Sequence, residues 1–187
     1  MSTVCPLTLS HTFLLPNTPP HPPPPQTNGG VIYNQGGSVH GVVFEDMTVH
    51  STNQGAGIKL SRPGHNATGG LVSNVTWRNL AITAPRYAAF YTNVFGEDAD
   101  GCAPPPHSDY PHWLTVTGAA FRNVSAQLSV AGQAAGCFLF TPGAPGTGYV
   151  FEDVQVRGVG GGAASPYKCS NTQGFQATGS TAPVPCR

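Results

Sequence analysis

Residues 38–49 read "SVHGVVFEDMTV", and the pattern returns as "LVSNVTWRNLAI" at 71–82, "TVTGAAFRNVSA" at 115–126 and "GTGYVFEDVQV" at 146–156. Each copy carries an aromatic ring (Phe44, Trp77, Phe121 or Phe151), then Glu or Arg, then Asp or Asn, then an apolar residue. The rings lie 33, 44 and 30 residues apart, spacings typical of architectures built by stacking one unit on the next. Alternation around each ring, as at Val75 and Trp77, suits a strand with one buried face. The residue two places on (Asp46, Asn79, Asn123, Asp153) marks a sharp bend, because Asp and Asn tolerate left-handed backbone angles better than other non-glycine residues. A second strand then starts ("MTV", "LAI", "VQV"), and a third apolar segment follows: "IKL" at 58–60, "AAFY" at 88–91, "CFLF" at 137–140. Short strands separated by one-residue bends make one coil of a parallel β-helix, which buries its apolar side chains against the coils above and below. A β-sandwich of hairpins is the competing arrangement. It requires two-residue Asn-Gly or Asp-Gly turns between alternating runs, and none joins these runs.

Composition agrees with an all-β chain. The 187 residues include 24 Gly and 19 Pro, and only 9% are charged, against about a quarter in an ordinary soluble domain. That leaves too few charged residues for the wet faces of long amphipathic helices. Formal net charge is zero, so the basic excess of a nucleic-acid binder is missing. No apolar run approaches the ~20 residues that span a bilayer, so neither nucleic acid nor membrane is expected as a partner. "TFLLP" near the N-terminus is too short and too broken for a secretory core and has no Lys or Arg before it. Sequons at Asn66, Asn74 and Asn123, in a cysteine-containing chain poor in charge, nevertheless point to a secreted glycoprotein. The cysteines number five, which leaves one unpaired if the others form disulfides. Residues 1–37, with "PNTPPHPPPPQTNGG", differ from all that follows. They read as a disordered leader or a segment foreign to the fold, because polyproline cannot pair in a ladder. The folded domain is expected at 38–187, as a partial β-helix of about four coils.

The run "GVVFEDMTVHSTNQGAGIKLSRPGHNATGGLVSNVTWRNLAIT" at 41–83 resembles the third quarter of polygalacturonases, glycoside hydrolase family 28. In that family a coil ends in Arg-Ile-Lys, passes a Gly-rich loop and resumes with a strand like "VSNVTW". The ending "YKCSNTQGFQATGSTAPVPC" at 167–186 is similar to the family's C-terminal closure. The likeness covers 38–187 and implies the C-terminal portion of a right-handed, single-stranded parallel β-helix. It also implies a glycosidase that hydrolyses α-1,4-galacturonan with inversion, by means of three aspartates and a nearby Gly-His-Gly, without a cofactor. An inverting enzyme needs two carboxyl groups far enough apart to admit a water.

The resemblance makes Lys59 the cation that binds the galacturonate carboxylate. Read from its strand alone, Lys59 is an ordinary solvated lysine. The family's arginine falls on Gly57, which removes a forked donor that one lysine cannot replace, and Arg62 is the nearest other cation. A family tyrosine falls on Phe95 and the histidine on Gly29, while His40 lies too far along to match. The catalytic aspartates belong upstream, where the leader has no Asp or Glu. Glu97, Asp98 and Asp100 read as a solvated turn rather than an acid/base or calcium site. His107 and His112, set among prolines, read as loop residues rather than metal ligands. "GVGGGAAS" at 158–165 reads as a flexible connector. Cys169 and Cys186 match the family's terminal disulfide. A second family pair falls on Phe140 and Gly146, so both of its partners are replaced together. The pairing of Cys5, Cys102 and Cys137 stays open.

Two functions are carried forward. One is the C-terminal portion of a polygalacturonase-like enzyme, monomeric and secreted, acting on acidic polysaccharide but inactive as this chain stands. The other is a non-catalytic β-helix that binds glycan or serves as scaffold. Either way, a first coil with no coil before it would present unpaired strand edges.

Overall fold

The computed structural model describes residues 31–34, 37–50, 54–60, 70–93, 102, 114–140 and 143–186. In chain order its strands are β1 (Val31–Asn34), β2 (Gly37–His40), β3 (Val43–His50), β4 (Gln54–Leu60), β5 (Gly70–Thr83), β6 (Ala88–Asn93) and β7 (Leu114–Gln127). There follow β8 (Gly136–Leu139), β9 (Gly146–Thr147), β10 (Val150–Arg157), β11 (Lys168–Ser170), β12 (Thr172–Gln173) and β13 (Gln176–Thr178). Among the described residues there is no α-helix.

The strands form two sheets whose strand-to-strand pairings are all parallel. The first runs β1-β4-β6-β8-β11. In the second, β2 and β3 pair with β5, β5 with β7, β7 with β9 and β10, β9 with β12 and β10 with β13. The chain moves back and forth between them, and each return lays a strand beside the one laid before. Ordered pairing begins earlier than the boundary at residue 38 suggests. Val31–Asn34 pairs with Gly57–Leu60, and Gly37 faces Gly70. The leader boundary is therefore corrected to lie before Val31, and residues 1–30 fall outside the described part.

The repeated motif sets the register of the second sheet. Phe44 faces Trp77, Trp77 faces Phe121, and Phe121 faces Phe151. Their rings stack at centroid distances of 5.6, 4.7 and 5.1 Å, tilted by 10°, 12° and 24°. Those distances follow the spacing of neighbouring strands. Each such ring pair contributes roughly 0.5–1.5 kcal/mol beyond the burial of its area. Phe90 and Phe138, from the first sheet, meet the stack edge-on: Phe90 against Phe121 at 4.7 Å and Phe138 against Phe151 at 5.6 Å. Tyr149 and Thr92, both fully buried, join the two sheets through a 3.0 Å hydroxyl–hydroxyl hydrogen bond.

Two columns of left-handed residues bracket the rings. One holds Gly41, Asn74, Gly118 and Gly148, with φ of 70°, 52°, 66° and 66°. The other holds Asp46, Asn79, Asn123 and Asp153, with φ of 55°, 56°, 48° and 54°. In every coil the two corners are five residues apart. The same interval returns at Gly174 and Gly179, both at φ 63°, which marks a fifth unit in "GFQATG". There Ala177 pairs with Phe151 and stands where the earlier units carry a ring.

The second column is also hydrogen-bonded from Asp46 to Asn123, and Asp153 bonds onward to Ser180. Asn79 Nδ2 donates to Asp46 Oδ1 at 2.9 Å, and Asn123 Nδ2 donates to Asn79 Oδ1 at 2.9 Å. Asp153 Oδ1 accepts from the Ser180 backbone N–H at 2.9 Å and from its hydroxyl at 3.2 Å. Asn79→Ala leaves in the left-handed region a residue without the polar side chain that lets Asn tolerate it, at roughly 1 kcal/mol, and removes two hydrogen bonds of about 1 kcal/mol each. Asn79→Gly loses the bonds but keeps the backbone. Urea denaturation is expected to show a loss of about 3 kcal/mol for Ala and about half of that for Gly. Equal losses would show that the corner geometry contributes nothing.

Candidate functional site

All four described carboxylates lie in the two motif copies that read Phe-Glu-Asp, and each has a bonding partner. Glu45 Oε2 accepts from Arg78 Nε at 2.7 Å and pairs with the Nη2 of the same guanidinium. Glu152 pairs with Arg122 at 3.1 Å. Asp46 and Asp153 belong to the corner column. The register places Glu45, Arg78, Arg122 and Glu152 in one row on the outer face of the second sheet. These side chains are half exposed, so each pair contributes about 1 kcal/mol or less. Glu97, Asp98, Asp100, Asp109, Phe95, Arg62, His107, His112 and Gly29 lie outside the described residues.

Lys59 occupies β4, opposite Tyr33 on one side and Asn93 on the other; its side chain is outside the described part. Gly57, where the resemblance puts an arginine, is buried. A β-carbon there would stand 1.8 Å from the Tyr91 carbonyl oxygen. This backbone therefore admits no side chain at 57. The other paired replacement has a clear packing reason. A β-carbon at Gly146 would stand 2.2 Å from the Phe140 ring, so the fully buried ring fills the space that the glycine leaves.

The cysteines fall into two pairs at disulfide distance. Cys169 and Cys186 have Cα atoms 5.7 Å apart, and Cys102 and Cys137 have theirs 5.4 Å apart. Cys5 and Asn66 lie outside the described residues. Asn74 and Asn123 are exposed at left-handed corners, and the Asn123 amide donates into the column. His40 faces solvent and bonds Ser73 Oγ at 2.8 Å. The stretch expected as a flexible connector is a bonded turn: Gly158 N–H donates to Gly162 O at 2.8 Å, and Gly161 N–H to Gly158 O at 3.1 Å. Burial pushes the pKa of the Tyr149 phenol up, opposed by its hydrogen bond to Thr92, and pushes up that of Tyr167, whose buried hydroxyl has no partner. Both phenols stay protonated, so neither provides a base.

One concave feature joins several coils. An open cleft of about 230 Å³ lies where the chain crosses from the second sheet into the first. Arg86 and Tyr87 precede β6, Val130 and Gln133 precede β8, and Lys168 begins β11; Cys102 contributes to the wall. The Arg86 guanidinium sits 5.1 Å from the centre of the Tyr87 ring, a cation–π contact that restricts its position. Buried Gln133 ties two successive turns together. Its Nε2 donates to Pro85 O at 2.7 Å, and its Oε1 accepts from the Val130 N–H at 3.3 Å. Arg86 and Lys168 went unnoticed in the sequence because they are separated by a long stretch of chain. Only the order β6-β8-β11 brings them near each other.

No protein-family model, curated protein or solved structure matches the chain. Among the described residues no group of His, Cys, Asp and Glu could hold a metal ion, and no helix is long and apolar enough to cross a membrane.

Gln133→Leu keeps the volume but leaves the Pro85 carbonyl without its close donor. A buried polar group so exposed costs about 1–3 kcal/mol. Thermal melting of the variant is expected to fall accordingly, and an unchanged melting point would show that the staple is redundant.

Proposed function

We propose that this chain is a right-handed parallel β-helix of the polygalacturonase type, corresponding to that family's C-terminal coils. It engages a pectin-like acidic polysaccharide outside the cell and does not itself cleave it. One observation carries this reading. Every described carboxylate is committed to a neighbour in the stack, whereas Arg86 and Lys168 have no acidic partner among the described residues. Inverting hydrolysis needs two carboxyl groups free to move protons, roughly 6.5–9.5 Å apart. Holding a polyanion needs only fixed cations.

The parallel register, the stacked rings and the paired left-handed corners support the helix of coils. Strand β4, with "GIKL", places Lys59 in the first sheet, where the resemblance would have it face the sugar. The blocked side-chain position at Gly57 argues against the full carboxylate clamp of a working enzyme. The two close cysteine pairs favour an oxidising, extracellular setting.

Incubation with polygalacturonate is expected to release no reducing ends, while the same polymer retards the chain in affinity electrophoresis. Lys59→Ala is expected to weaken that retardation. Turnover would overturn the non-catalytic reading. Unchanged retardation of the Lys59 variant would return this residue to the role of a solvated strand lysine.

A further inference from the structure

We propose that the cleft between Arg86 and Lys168 is a second anion subsite, for the charged groups of a linear acidic polysaccharide lying along the stack. This rests on the reading of the chain as a polysaccharide binder, but it names different residues on a different edge of the sheet.

The charges are segregated. The four described carboxylates and the two arginines that pair with them occupy the corner and outer row of the second sheet. Among the described residues the cleft is lined by two cations and no carboxylate. Cations about 10 Å apart repel only weakly across solvent, so what favours an anion here is the attraction of two positive charges that no described carboxylate answers. Arg86 presents a planar fork suited to a carboxylate or sulfate, and Lys168 a point charge.

The cleft is also rigid where it matters. Arg86 is held over Tyr87, the Gln133 side chain locks the Arg86 turn to the next one, and Lys168 is in register with Cys137, which lies at disulfide distance from Cys102. Arg86, held in this way, loses little freedom on binding.

Strand order identifies the shape of the ligand. Strands β6 and β11 flank β8, so the turns that carry Arg86 and Lys168 are two strand spacings apart, about 10 Å. The cleft runs across coils and is open to solvent. An extended chain with repeated charges fits it, whereas a single small anion would not reach both cations. Lys59 is not part of this site. Its strand neighbour Asn93 closes β6, whereas Arg86 precedes Ala88 at the other end, roughly 16 Å away along the strand. At that separation, substitutions at the two places act independently.

The test uses the full chain with polygalacturonate, dextran sulfate and neutral dextran as probes. Arg86→Gln/Lys168→Gln is the cleft variant. Arg78→Gln/Arg122→Gln, which removes the same formal charge from the outer row, is the control. Lys168→Arg is the conservative variant. Both cleft side chains are on the surface, and unchanged melting of the variants confirms that folding is intact. The expected result is at least about a tenfold loss of polygalacturonate affinity in the cleft variant, little change in the control or in Lys168→Arg, and no dextran binding. Equal affinity in the wild type and the cleft variant, or an equal loss in the control, would overturn the subsite and leave the polysaccharide reading intact. Cleft-dependent binding of dextran sulfate without binding of polygalacturonate would keep the subsite and overturn the pectin-type ligand. Binding of neither polyanion would overturn both.

Discussion

The constraint on which the structure depends is the pair of left-handed corners repeated in each unit. A parallel strand continues past its neighbour only if both turn at the same place. If one chain turned a residue early, every inward side chain after it would point outward. Here the corners fall at 41 and 46, 74 and 79, 118 and 123, 148 and 153, and 174 and 179. Each position needs a residue that accepts positive φ, and the sequence supplies Gly, Asn or Asp every time. With four residues between corners, two side chains per unit point inward, and one of them is the ring in four of the five units. The ring stack is thus a consequence of corner spacing, and its dispersion and quadrupole contacts then reinforce the register that produced it.

That division of labour determines where chemistry can be placed. Inward positions are filled by Val75, Trp77, Phe121, Phe151 and their neighbours, and corner positions are bonded along the column. The acidic residues at and beside the corners serve the stack. Asp46 accepts from Asn79, Asp153 accepts from Ser180, and Glu45 and Glu152 meet Arg78 and Arg122. A carboxylate used in this way is anchored, but it faces another protein group rather than a reaction centre. The connections between sheets carry no such obligation. The cleft forms there, and among the described residues two cations there have no acidic partner.

The second sheet was legible in the sequence because its signal is local and repeated: ring, charge and Asx within three residues. The all-β class and the in-register rings follow from it directly. The fifth unit was missed because Ala177 stands where a ring was expected and Gly179 where an Asx was expected, although the glycine pair alone preserved the interval. The strand at Val31–Asn34 was missed because proline-rich chain runs almost up to it, and composition averaged over 1–37 concealed four residues with strand character. The turn at 158–165 looked like a linker because its glycines suggest flexibility, whereas its backbone bonds close it. The cleft could not be read at all. Arg86, Gln133 and Lys168 share no pattern, and their proximity is a property of strand order.

The same separation bears on two positions where this chain departs from the polygalacturonase resemblance. Where the resemblance expects a bonded cysteine pair, the chain has Phe140 packed on Gly146, an apolar solution to the same packing problem. Where it expects an arginine, the chain has Gly57 pressed against the Tyr91 carbonyl, which closes the position to any side chain. The first replacement preserves the stack, because a ring against a glycine fills the interior as a disulfide would. The second is set by packing too, because Tyr91 is held in a buried cluster with Ala88, Cys102, Ala134 and Cys137 and leaves Gly57 no room for a side chain. A chain that satisfies every corner and ring requirement leaves its exposed positions free to vary and still folds. What it binds must be argued from such exposed side chains, the described cations in the turns among them.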